Sequence, residues 1–128
     1  MKLVLRLLLV GCLLGGLALA QTVDEYNYFS TRLTTVKDDL HLTPDQQQKV
    51  KPILEQETSL MGEIYGNPVL SRKDKLEKYW SILNESQAKI KPMLSADQQT
   101  ALTALHEQQK QRFDTMMEQA KEEAKKRD

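Results

Sequence analysis

After residue 22 no segment of the chain alternates apolar and polar side chains as a half-buried strand does. Apolar residues recur instead every three or four positions almost to the end. Tyr26, Phe29, Leu33, Val36 and Leu40 form the first such stripe and predict a helix over roughly residues 23–40. Val50, Ile53, Leu54, Met61, Ile64 and Tyr65 form the second. Leu76, Tyr79, Trp80, Leu83 and Ile90 form the third, with Gln87 as a polar interruption. Leu102, Leu105, Phe113, Met116, Met117, Ala120 and Ala124 form the fourth, with Gln109 in the gap. The periodicity therefore predicts an all-α fold of four helices.

Start and stop signals bracket these stripes. Thr43-Pro44-Asp45-Gln46 offers a hydroxyl cap, a proline where its missing N–H costs nothing, an acid near the positive helix end and a glutamine to close a capping box. Ser95-Ala96-Asp97-Gln98 repeats the scheme, Ser71-Arg72-Lys73-Asp74 is a looser version, and Thr22 is a candidate start for the first helix. Gln47 and Gln99 stand where a hydrophobic staple would place an apolar side chain. Gly66-Asn67-Pro68 predicts a stop after the second helix, and Pro92 an end or bend of the third near Ile90. Pro52 lies inside the second helix and cannot donate to the Gln48 carbonyl, which predicts a bend without a break. The last helix, roughly residues 96–125, would be about 45 Å long. Its charged stretch from Glu118 is expected to project into water, supported by i,i+4 pairs of Glu122 with Lys126 and Glu123 with Arg127.

The first 20 residues read as an export signal. Lys2 and Arg6 precede the apolar run Leu7–Leu14, and Ala18-Leu19-Ala20 places small residues at a signal-peptidase site, so cleavage is expected before Gln21. The run is too short and too interrupted for a spanning anchor. Leu9-Val10-Gly11-Cys12 resembles a lipoprotein lipobox, but apolar residues continue after Cys12 where a polar tether belongs, so lipidation ranks below simple cleavage. Cleavage leaves one domain, 21–128, without the only cysteine. Lys2 and Arg6 leave too, so the 18 basic residues fall to 16 against 18 acidic. That balance gives no basic face for nucleic acid.

The chain also repeats itself. Shifted by 52 residues, Leu42-Thr43-Pro44-Asp45-Gln46-Gln47 falls on Leu94-Ser95-Ala96-Asp97-Gln98-Gln99. Val50 then falls on Leu102, Ile53 on Leu105, Glu55 on Glu107 and Gln56 on Gln108. A capping box accounts for the hydroxyl and the glutamine, but not for the leucine before the cap or the matching tail. This doubled L-[ST]-x-x-Q element behind an export signal resembles the LTXXQ-motif family of periplasmic proteins, which includes Spy- and CpxP-like chaperones and zinc-responsive relatives. The resemblance implies a thin, bent helical hairpin that dimerises into a cradle and holds partly unfolded envelope proteins without ATP. Its motif residues here are Leu42, Thr43, Gln46, Leu94, Ser95 and Gln98. Ser95 and Ala96 depart from the threonine and frequent proline of the second motif, and the histidine- or cysteine-rich segments of the zinc-binding relatives are absent.

Chemistry finds few candidates. His41 and His106 have no second histidine at ligand spacing, although Asp38 and Asp39 adjoin His41; each reads as an exposed histidine near a helix boundary. Glu55, Glu57 and Glu63 lack a recognisable orienting partner, and Ser81, Ser86 and Ser95 lack a nucleophile elbow. No catalytic residue, metal site or cofactor is expected. Flexible methionines suit varied partners, and Met61, Ile64, Met116 and Met117 are the candidate client surface, on the argument that a thin hairpin cannot bury its whole apolar stripe. The competing readings are a regulator that docks on an envelope stress sensor and, behind it, a metal-responsive protein.

Overall fold

The computed structural model describes residues 23–30 and 32–127. The expected signal, its cleavage site before Gln21, Cys12, the Thr22 start and the side chain of Leu33 lie outside the described residues.

The fold is all-α. Residues 23–30 form α1, followed by α2 (Arg32–Asp39), α3 (Pro44–Tyr65), α4 (Arg72–Ile90), a 3₁₀ turn (Lys91–Met93) and α5 (Ala96–Arg127). Helix α4 packs against both α3 and α5, and α2 packs against α3. The boundaries follow the chemistry of the ends. Ser71 Oγ accepts from the Asp74 N–H and caps α4. Pro92 sits in the 3₁₀ turn that ends α4 at Ile90. Gly66 closes α3 in a right-handed conformation (φ −77°), and the Asn67 side chain accepts from the Val69 N–H to turn the chain past Pro68. Helix α3 runs through Pro52 without interruption. Gln48 and Pro52 are both exposed, so the carbonyl that loses its helical donor does so where water reaches it.

The core divides along the bundle. One cluster gathers Phe29, Met61, Leu76, Tyr79, Leu83, Met116, Met117 and Ala120, drawing on α1, α3, α4 and α5. The other gathers Val36, Leu40, Leu42, Val50, Leu54, Ile90, Leu94 and Leu102. Between them lie buried polar groups: Glu57 on α3 follows Leu54 and precedes Met61, Ser86 on α4 separates Leu83 from Ile90, and Gln109 on α5 separates Leu102 from Met116. The Ser86 hydroxyl donates to Glu57 Oε2, so the polar layer ties α3 to α4. Glu57 and Gln109 are themselves related by the 52-residue shift.

Helix α5 stays packed further than its charge run suggests. Ala120 is buried, and Glu123 pairs with Arg72 Nη1 at 2.7 Å instead of reaching along its own helix to Arg127. Arg72 Nε and Nη2 also donate to the buried Glu25, which closes α1, α4 and α5 together at that end. Burial pushes the Glu25 carboxyl above its ordinary pKa against the lowering effect of the Arg72 guanidinium, while hydrogen bonds to Glu25 and Glu123 hold Arg72 above its own despite burial.

Tyr79 is the largest fully buried side chain, and its hydroxyl has no hydrogen-bond partner among the described residues. Burial, with the charge of Glu25, pushes the phenol far above its usual pKa and keeps it neutral. An unpaired buried hydroxyl carries a desolvation cost of about 1–3 kcal/mol. Tyr79→Phe is therefore expected to leave stability to urea unchanged or raise it by up to about 1 kcal/mol. A loss of more than about 1 kcal/mol would show that the hydroxyl has a partner that matters.

Candidate functional site

The two motifs meet. In each copy the capping box is complete: Thr43 N donates to Gln46 Oε1 at 3.0 Å while Gln46 N donates to Thr43 Oγ1 at 3.2 Å. Ser95 N donates to Gln98 Oε1 at 3.0 Å while Gln98 N donates to Ser95 Oγ at 3.3 Å. The next glutamine in each copy turns back on the leucine before the cap, Gln47 Nε2 to the Leu42 carbonyl at 2.9 Å and Gln99 Nε2 to the Leu94 carbonyl at 3.3 Å. A side-chain-to-backbone hydrogen bond thus takes the place of the missing hydrophobic staple.

The copies are then joined through Gln46 and Gln98. Gln46 Nε2 donates to Gln98 Oε1 at 2.7 Å and Gln98 Nε2 donates to Gln46 Oε1 at 2.8 Å, a cyclic amide pair across 52 residues of sequence. The remaining amide hydrogens go to the Met93 carbonyl (3.2 Å) and the Leu40 carbonyl (3.3 Å). Each side chain therefore uses both donors and accepts twice, which saturates a primary amide. Glutamate would close the capping box equally well but has no hydrogens to donate to the opposite copy. The pair demands glutamine.

The leucines supply the apolar half of the motif. Leu42 and Leu94 are both buried in the second cluster, beside the repeat-related Val50 and Leu102. Ile53 and Leu105, also related by the repeat, pack at its edge. The approaches to the two copies differ. His41 precedes the first in a left-handed conformation (φ 50°), whereas the second follows the 3₁₀ turn. This explains why the outer amide hydrogens reach Leu40 on one side and Met93 on the other, one position out of repeat register.

The expected client surface is corrected. Met61 is completely buried and Met116 and Met117 nearly so, all in the first cluster; Ile64 is half-buried against it. Methionine at these positions fills core space between four packed helical segments. Among the described residues, Val23, Leu60, Val69 and Met93 are the exposed large apolar side chains. The Tyr26 and Tyr65 rings stack at 4.5 Å, Val23 lies one turn before Tyr26, Leu60 one turn before Ile64, and Val69 four residues beyond Tyr65. Val69 is 88% exposed.

His41 is exposed between α2 and α3. His106 is not at a helix boundary: it is half-buried within α5, its ring stacked on Trp80 at 4.8 Å, while Phe113 stacks on the same indole at 4.9 Å. Among the described residues no group of three or more histidine, cysteine or acidic side chains is placed to hold a metal ion. Glu57 does have a partner, Ser86, a contact that residue spacing could not reveal. Both are buried, at 3% and 5% exposure, so no substrate reaches that carboxylate–hydroxyl pair. No described helix is long and apolar enough to cross a membrane.

Thr43→Ala and Ser95→Ala are each expected to cost about 1 kcal/mol in urea unfolding, and aspartate at either position much less, because its carboxylate still accepts the cap N–H. Alanine variants as stable as the parent, or aspartate variants as damaged as alanine, would show that these hydroxyls are not caps.

Compared with protein-family models, characterised proteins and solved structures, the chain finds no match.

Proposed function

We propose that this chain is an exported, chaperone-like binding protein of the LTXXQ type. It holds partly unfolded envelope polypeptides through apolar side chains at the Tyr26–Tyr65 end of the bundle, without nucleotide or metal. Homodimerisation in the periplasm belongs to the same proposal and rests on the resemblance of the doubled motif. The observation that carries the reading is that Val23, Leu60 and Val69, each within five residues in sequence of the stacked, half-buried Tyr26 or Tyr65, are open to solvent while most of the long apolar stripes are buried. Tyrosine suits such a surface because its ring adds apolar contact area and its hydroxyl stays wet.

Apolar contact contributes about 25 cal/mol per Å² before ordering costs. A patch this small predicts weak, broad binding and fast exchange. Protection should therefore need excess protein and show little preference among clients.

An aggregation-suppression assay on several unrelated clients, without nucleotide, tests this. The parent protein is expected to delay aggregation at several-fold excess. The triple variant V23Q/L60Q/V69Q is expected to lose most of that protection with its helical signal unchanged, since all three positions are exposed. Full protection by the triple variant would remove the client surface from this end. A folded parent that protects no client would overturn the chaperone reading and favour docking on an envelope sensor.

A further inference from the structure

The described methionines divide by depth. Met61 is 0% exposed and Met116 and Met117 are 8% and 9% exposed, all within the first core cluster, whereas Met93 is 36% exposed. Met93 ends the 3₁₀ turn between α4 and α5. The backbone of that turn is braced on several sides. Leu94 N donates to the Lys91 carbonyl at 3.2 Å, and Gln99 Nε2 donates to the same carbonyl at 3.1 Å. Gln46 Nε2 donates to the Met93 carbonyl at 3.2 Å. Pro92 restricts the backbone at the centre of the turn, and Leu94 anchors its end in the second core cluster. Each of these restraints acts on the main chain or on Leu94, and none of them uses the Met93 thioether.

We propose that Met93 is a reversible oxidation site, at which the folded chain takes up one oxygen atom from hydrogen peroxide. A lone pair on Sδ attacks one peroxide oxygen, the O–O bond breaks, an S–O bond forms and the other oxygen leaves as water. The sulfur gives up two electrons and the peroxide accepts them. A dithiol acting through methionine sulfoxide reductases returns the electrons: the sulfoxide oxygen leaves as water and the dithiol becomes a disulfide. Depth decides which methionine can pass through this cycle in the folded state. A sulfoxide is polar, and at Met61 its oxygen would lie unpaired in packed apolar core. At Met93 it stays in water. Because the turn is braced through its main chain, the added oxygen leaves both capping boxes and the Gln46–Gln98 pair in place. The proposal does not rest on the client surface, which lies around the Tyr26–Tyr65 stack at the other core cluster.

Brief exposure of the folded protein to dilute hydrogen peroxide, followed by peptide mass mapping, tests this. Sulfoxide is expected to accumulate at Met93 about tenfold or more faster than at Met61, Met116 or Met117. The protein oxidised at Met93 should keep the helical signal and the urea midpoint of the parent. Methionine sulfoxide reductases of both stereospecificities, supplied with dithiothreitol, should return Met93 to the thioether without unfolding the chain. In concentrated urea the four methionines should oxidise at similar rates, because the difference between them is one of depth. The proposal is overturned if Met116 or Met117 oxidises as fast as Met93 in the folded protein, or if the preference for Met93 persists in urea. A lowered urea midpoint after oxidation at Met93, or a sulfoxide there that the reductases cannot remove, would also overturn it.

Discussion

The cyclic amide pair between Gln46 and Gln98 is the constraint around which the motif half of the bundle is arranged. It fixes the first turn of α3 against the first turn of α5, two helix starts 52 residues apart, and the outer amide hydrogens pin both to the segments that lead into the opposite copy. With both starts held, Leu42 and Leu94 enter the same apolar cluster, and Ile90 arrives there at the end of α4. The pair is part-buried, where an amide group left unmatched is costly. Partial satisfaction is not a stable compromise here, so the motif acts as a unit or not at all.

Most of the fold was legible because it is written locally. A cap, a box-closing glutamine and a proline stop each act over three or four residues, and the observed helix starts at Pro44, Arg72 and Ala96 follow them. The apolar stripes likewise identified Phe29, Val36, Val50, Leu76, Leu83 and Leu102 as core. The glutamine pair was only half legible. The repeat showed that two copies exist and that a capping box could not account for all of their likeness, but nothing in local spacing says that two boxes face each other. The methionines misled for a related reason. Their flexibility suits either a core or a variable surface, and the choice depends on whether α1 covers the trough lined by α3, α4 and α5, which is a tertiary fact. The Arg72–Glu25–Glu123 cluster and the Glu57–Ser86 bond were equally hidden, since each joins residues far apart in sequence.

The two halves of the molecule differ in character. The half around Tyr79 is aromatic and methionine-rich, carries an unpaired buried hydroxyl, and exposes Val23, Leu60 and Val69 at its rim. The half around the motifs is aliphatic and closed by saturated polar contacts. Glu57, Ser86 and Gln109 separate them, and Gln109 Oε1 has no partner among the described residues. A core interrupted by a polar layer specifies helix register more than it adds stability.

Whether the two motifs act as one interaction is measured by a double-mutant cycle on Gln46→Ala and Gln98→Ala. Each single substitution strands amide groups on the opposite glutamine, whereas the double substitution removes both sides of the pair together. The two single losses in urea unfolding free energy are expected to exceed, when added, the loss of the double variant by about 1 kcal/mol or more. Additivity to within about 0.3 kcal/mol would show two independent capping boxes that merely lie side by side, and would contradict it.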